Sequence, residues 1–400
     1  MHLNRRNFLR TTGSASVAAA GALSFPGGWE VVSASPATPS NGFPEFSWKN
    51  VPSGIHVGKY TGDFTPSEAS FLGAHSPIVI LAAETGVSSN LPADQHFVEV
   101  GYYNNARILK AANPGMKVLY YWAWHGGGYR NFQAYSQPDY NPAWLRPQGP
   151  AGHLQHDVTN PQFRAWWARA AANIANHPDL DGVFVDGVGV VYVPEESDML
   201  SQLRQNLNAS PDPKILLMNV NQNGRITAPP GAAQSKFEIV DGEMIEHYGA
   251  FESATPEIMR ASLMHVIQLG KAQKIVFFKG WPGFTFQDAR TKTMSYAEKV
   301  ATARHNIVFP LASYLVAADR YCYFQYSWDY NNIGGSYVLE SETAPPSQQM
   351  VDPTWYPELL RPLGVPHGDA TIQGYHFSRT FDHAQVEVDL TSRQASINWT

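Results

Sequence analysis

Short apolar runs alternate with longer stretches of helical period between residues 54 and 328. Eight runs read as strands, at 54–60, 77–84, 116–124, 182–186, 214–221, 237–247, 274–281 and 321–328. Several, such as Pro77-Ile-Val-Ile-Leu-Ala-Ala-Glu84, are apolar throughout rather than alternating, which marks strands buried on both faces. Helical periods fill 97–113, 160–176, 197–208, 256–269 and 296–316. Asn113-Pro114-Gly115 is a stop signal, Asn160-Pro161 is an N-cap followed by a first-turn proline, and Pro310 predicts a break in the last helix. Strands alternating with helices predict an α/β fold, here a (β/α)8 TIM barrel over residues 46–363. After Gly364 the pattern changes to short strands at 374–381 and 385–389, a small C-terminal β appendage over 364–400.

The first 45 residues do not share this pattern. Asn4-Arg5-Arg6-Asn7-Phe8-Leu9-Arg10 precedes a small-residue apolar stretch and Val32-Ser33-Ala34, a small-residue cleavage site. Residues 1–34 therefore read as a twin-arginine signal peptide, with a linker at 35–45. The expectation is a precursor that meets the twin-arginine export machinery and a mature protein that is periplasmic or extracellular. The apolar stretch is too short to span a bilayer, and no later run reaches ~18 apolar residues, so no membrane insertion is expected of the mature form.

Of the 400 residues 44% are hydrophobic, enough for one large core. The net charge of -6 offers no basic field for nucleic acid. The single cysteine, Cys322, excludes an intramolecular disulfide and a thiolate metal cluster. Aromatic residues reach 12%, with 11 Trp and 19 Tyr. Flat rings stack on sugar faces, so a carbohydrate-binding surface is one reading; a large aromatic core is the other.

The candidate chemistry sits at predicted strand ends. Asp181-Gly-Val-Phe-Val-Asp186-Gly-Val-Gly189 places Asp186 at the C-terminal end of the fourth strand, where a parallel barrel keeps its active site. Asp181 opens that strand, on the stability face. Glu246 closes the sixth strand, and alternation puts Glu243 on the opposite face. The competing readings are loop capping for Asp186 and an ion pair with Lys279 or Arg225 for Glu246. Trp122, Trp124 and His125 end the third strand, Asn219 and Asn221 the fifth, Tyr248 follows Glu246, Lys279 and Trp281 end the seventh, and Trp328 ends the eighth. Together these form a candidate substrate-binding set of stacking rings and hydroxyl partners. His156-Asp157 is a further polar corner or a local cap.

Other chemistries lack their motifs. His125-Gly-Gly-Gly128 is similar to an oxyanion loop, but no G-x-S-x-G elbow accompanies it. No phosphate loop or complete dinucleotide fingerprint occurs, and without H-E-x-x-H a catalytic zinc is disfavoured. No cofactor is expected.

The segments Asp157-Val-Thr-Asn-Pro-Gln-Phe-Arg-Ala-Trp-Trp167, Asp181-Gly-Val-Phe-Val-Asp186 and Val240-Asp-Gly-Glu-Met-Ile-Glu246 resemble the hypothetical glycosyl hydrolase family 15, which is distinct from the glucoamylases of that number and akin to the polygalactosaminidase-type barrels. So do Tyr356-Pro-Glu-Leu-Leu-Arg-Pro-Leu-Gly364-Val-Pro-His-Gly368, Gly374 and Arg379-Thr-Phe381. The resemblance implies catalytic carboxylates at the ends of strands four and six, here Asp186 and Glu246, acting on a poly- or oligosaccharide. Asp186 is expected as nucleophile or base and Glu246 as acid, with the reverse assignment open. Two carboxyls ~5–5.5 Å apart would retain anomeric configuration, and ~6.5–9.5 Å would invert it. The alternatives are a non-catalytic carbohydrate-binding barrel and a polysaccharide lyase built on His247, Tyr248 and Lys279.

Overall fold

The computed structural model describes residues 42–59, 62–83, 85–86, 97–124, 132–148, 153–187, 194–220, 234–285, 287–328, 332–333, 337–338 and 356–400. The expected twin-arginine leader, most of the expected linker, His125, Asn221 and Arg225 lie outside the described residues.

In chain order the strands are β1 Ile55–Val57, β2 Ile78–Leu81, β3 Lys117–Ala123, β4 Leu145–Gln148, β5 His153–His156, β6 Gly182–Asp186, β7 Ile215–Val220, β8 Gly242–Tyr248, β9 Ile275–Gly280, β10 Cys322–Tyr326, β11 Asn332–Ile333, β12 Tyr337–Val338, β13 Thr371–Gln373, β14 His376–Phe381, β15 Ala384–Asp389 and β16 Gln394–Trp399. The helices are α1 Pro66–His75, α2 Val98–Ala112, α3 Pro161–Ala175, α4 Pro194–Asn208, α5 Gln234–Ile239, α6 Pro256–Lys271, α7 Tyr296–Asn306 and α8 Val308–Ala317.

Eight strands pair in parallel in the order β1-β2-β3-β6-β7-β8-β9-β10. The two edges meet. Ser53 bridges Phe324, Gly54 N donates to Phe324 O at 3.0 Å, and Phe324 N donates to Pro52 O at 2.8 Å. Above this short ladder the Gln325 amide takes the part of a strand: Nε2 donates to His56 O at 2.9 Å and Oε1 accepts from His56 N at 3.0 Å. The sheet is a TIM barrel sealed at its seam by one side chain.

Two strands use the same Asp-Gly opening. Asp181 accepts from Val118 N at 2.8 Å, and Asp241 accepts from Leu216 N at 2.8 Å, each binding the main chain of the preceding strand. A Cβ on Gly182 or Gly242 would lie 2.0 Å from the carbonyl oxygen of Ile215 or Ile275, so only glycine admits the next strand there.

In the outer layer, the Asn160 side chain accepts from Gln162 N and Phe163 N and starts α3. Phe163, Trp166 and Trp167 of that helix are buried, with Trp166 and Trp167 packed against Trp122. The C-terminal sheet, β13-β14-β15-β16, is antiparallel. Along β15 Ala384, Val386 and Val388 are buried while Gln385 and Glu387 are exposed, and the apolar face packs on α8. Among the described residues no helix is long and apolar enough to cross a membrane.

The structure departs from the sequence reading in five places. Phe237 belongs to α5, so the sixth barrel strand starts only at Gly242. The break in the last helix falls at Ile307, not Pro310. Pro310 lies in the first turn of α8, where its missing N–H has no helical partner to lose. The β4–β5 hairpin was not predicted, because Leu-Arg-Pro-Gln and His-Leu-Gln-His carry no clean period. The appendage has four strands rather than two. Finally, residues 43–45 of the expected linker are anchored: Phe43 packs edge-on to Tyr321 at 5.2 Å, and Tyr323 Oη donates to Pro44 O and Glu45 O.

Candidate active site

The parallel strands all point their C-terminal ends at one mouth, and alternation sends every second side chain into the barrel. On four neighbouring strands these inward residues are polar and hydrogen-bonded in series. Tyr121 of β3 donates its hydroxyl to Asp186 Oδ2 on β6. Asp186 Oδ1 accepts from Gly187 N at 2.7 Å and from Asn219 Nδ2 at 3.0 Å. The same Asn219 nitrogen, on β7, donates to Glu246 Oε2 on β8 at 2.6 Å. Sharing one donor keeps the two carboxylate oxygens at most about 5.6 Å apart, the short end of the glycosidase range.

Past Glu246 the series continues. His247 Nε2 lies 3.5 Å from Glu246 Oε2, and His247 Nδ1 lies 2.8 Å from Glu252 Oε1. Alternation alone would turn His247 outward. Instead, two residues lie between Ile245 and Tyr248 where only one lies between their partners Phe278 and Gly280, so β8 carries a bulge. The extra residue lets Glu246 and His247 both reach the mouth. Burial works to lower the His247 pKa, but the Glu246 and Glu252 carboxylates outweigh it and hold it above the ordinary imidazole value. Burial likewise raises Glu252, but its hydrogen bond and charge contact with His247 leave it below the usual carboxylate range.

The turn after β8 is built to deliver Glu252. Phe251 has φ 49°, a left-handed conformation that costs a non-glycine residue roughly 1 kcal/mol or more. Its ring lies 4.5 Å from His247 and edge-on to Trp281 at 5.1 Å, a wedge that fixes the strained turn. Trp281 Nε1 donates to the Glu246 carbonyl at 2.6 Å. From the C-terminal sheet, Arg393 Nη2 donates to Gly249 O at 2.8 Å and holds the start of the turn.

The expected substrate set divides. Asn219 lies between the carboxylates. Trp124 is partly exposed and donates Nε1 to Gly187 O at 2.9 Å, next to Asp186. Lys279 is fully buried, with its ammonium 4.1 Å from the Trp281 ring centroid, and Trp281 is buried at the border of the site. Trp122, Tyr248 and Trp328 occupy the core instead of the cleft. Trp122 packs on Phe132 and Tyr135, Tyr248 on Phe278, and Trp328 on Phe284 and Tyr296. Each is at most 3% exposed, so none offers a face to a ligand. Tyr248 is also the second outward residue flanking the bulge, which removes it as a lyase base. His156 is a structural corner: Nδ1 bonds Trp124 O at 2.7 Å, and the ring stacks on Phe163 at 4.7 Å. Glu243 faces the helices, with Oε2 2.7 Å from His265 Nε2.

Of the residues brought together here, the sequence points to His247 only in the lyase alternative, and Tyr121 and Glu252 are not among the candidate site residues. Two adjacent polar residues closing an otherwise apolar strand, Glu246-His247, were the available signal for the bulge.

A TIM barrel with paired carboxylates at the mouth, on its fourth and sixth strands, defines a glycosyl-hydrolase-like protein. Residues 110–385 match the hypothetical glycosyl hydrolase family 15, and the chain belongs to that family. No curated protein matches the chain. Among solved structures it is similar to an α-amylase from Geobacillus thermoleovorans complexed with acarbose, with 13% identity, 87% of this chain and 88% of that chain covered and a TM-score of 0.48. It is also similar to an Anoxybacillus α-amylase (12%, 87% and 88%, 0.47). A third is a maltogenic α-amylase from Thermotoga neapolitana (11%, 86% and 86%, 0.46).

Proposed function

We propose that this chain hydrolyses O-glycosidic bonds of a poly- or oligosaccharide by a retaining, double-displacement route. The observation that carries the reading is the single amide of Asn219 joining Asp186 to Glu246, whose two bonded oxygens lie at most about 5.6 Å apart, closer than the ~6.5–9.5 Å that leaves room for an inverting water. Asp186 receives donors on both oxygens, an arrangement suited to an ionised carboxylate, and it is the nucleophile. Glu246 is the acid that protonates the leaving oxygen and then, as base, takes a proton from water. Trp124, beside the Asp186 loop, is the stacking platform for a sugar ring. Twin arginines at Arg5 and Arg6 support export of this activity from the cytoplasm.

A reducing-sugar screen of the purified chain on a glycan panel tests the reading, run beside Asp186→Asn and Glu246→Gln. The expected result is release by wild type, loss in both folded variants, and products that first appear with the anomeric configuration of the substrate. Glycan binding without turnover, unchanged in the variants, would replace it with a sugar-binding barrel.

A further inference from the structure

We propose that His247, held by Glu252, is the proton partner of Glu246, so that the acid/base of this site is a histidine–carboxylate pair and not a lone glutamate. The inference rests on the hydrolase reading above and deepens it. Three independent features of β8 and its turn converge on this arrangement. The bulge between Ile245 and Tyr248 brings two consecutive side chains to the mouth. The left-handed Phe251 puts Glu252 back over the strand, 2.8 Å from His247 Nδ1. That contact engages Nδ1 and leaves Nε2 as the ring nitrogen nearest Glu246, 3.5 Å from Oε2. Such spacings close further when substrate binds.

Among the described residues, three charged groups act on His247. Glu246 adjoins it on β8, Glu252 comes from the turn, and Lys279 comes from β9. The two carboxylates favour the imidazolium and Lys279 opposes it. The proton in play is carried on His247 Nε2 and passes to Glu246 Oε2 during the reaction. In the first step the glycosidic C–O bond breaks, a bond forms between Asp186 and the anomeric carbon, and the pair's proton passes through Glu246 to the leaving oxygen. In the second step water attacks the anomeric carbon, the Asp186 bond breaks, and the proton lost by water returns to the pair. One water is consumed and no other reactant is needed. An imidazole whose pKa is raised keeps a proton available toward neutral pH for transfer through Glu246.

The test is first spectroscopic and needs no substrate. The full chain with 15N-labelled histidine is titrated by NMR, with His247 assigned from His247→Gln. In wild type its midpoint is expected above ~6.5, falling by about one pH unit or more in Glu246→Gln and again in Glu252→Gln. A midpoint unmoved by Glu246→Gln overturns the inference. On a glycan that wild type cleaves, His247→Gln is expected to lose kcat with KM retained and to move the alkaline limb of the pH profile down by about one unit. A uniform loss at every pH identifies His247 as structural only and also overturns it. Absence of cleavage on every glycan, with the NMR coupling intact, overturns the hydrolase reading and leaves the coupling standing.

Discussion

Replacing Asn219 tests the joint between the two carboxylates most directly. Its Nδ2 makes two hydrogen bonds to carboxylates, at 3.0 and 2.6 Å. Hydrogen bonds to charged groups contribute about 1.5–3 kcal/mol each. Water refills part of an alanine cavity, so the lower end applies, about 3 kcal/mol for the two. A second estimate agrees: two unscreened carboxylates about 5.6 Å apart repel by about 3 kcal/mol at an effective dielectric near 20. At about 1.4 kcal/mol per tenfold, Asn219→Ala is expected to lower kcat/KM about a hundredfold. The backbone ladder of β7 does not involve the side chain, so the variant should still melt cooperatively, below wild type by no more than the two bonds contribute. Asn219→Asp should lose more, since it has the same shape but puts a third carboxylate where a donor belongs. The assay is reducing-sugar release from any glycan that wild type cleaves, with circular dichroism as the control for folding. An alanine variant within threefold of wild type would refute the claim that this amide sets the site.

Gly182→Ala should fail to fold or melt far below wild type, by the equivalent of 4 kcal/mol or more, because its Cβ would lie 2.0 Å from a carbonyl oxygen; thermal denaturation checks this. Arg393→Ala removes the bond to Gly249 O and a guanidinium 5.3 Å from the Phe309 ring. It is expected to lower kcat several-fold with a melting change of only ~1 kcal/mol equivalent, since each contact is partly exposed. The His247 pairing should stabilise the fold in a pH-dependent way. Its folded pKa is raised, so the contribution is complete below ~6.5 and is lost as pH rises through the raised value. Urea melts of wild type and His247→Gln should therefore differ most at mildly acidic pH and converge at alkaline pH.

The barrel was legible because its strands are continuous apolar runs, and β-branched and aromatic residues buried on both faces leave little else for them to form. The position of the two carboxylates at the barrel mouth was legible because it follows from strand order and strand ends, not from local sequence. Aromatic residues at the same strand ends misled for a physical reason. Trp122 and Tyr248 fall on the outward phase of the pleat, where the helix layer buries them. Phase depends on register, and the β8 bulge that sets the phase after Glu246 is defined by pairing with β9, which one strand's sequence does not contain. Glu252 was missed for the same reason: only the left-handed Phe251 returns it to His247, and nothing in Phe251-Glu252-Ser253 announces that turn.

The tie between Arg393 and Gly249 spans 144 residues of sequence. During synthesis the turn that carries Glu252 therefore emerges long before the side chain that braces it. Until residue 393 has been made and docked, the loop beside Glu246 lacks this brace. On the proposed hydrolase reading, full turnover would then depend on the C-terminal sheet having docked on α8.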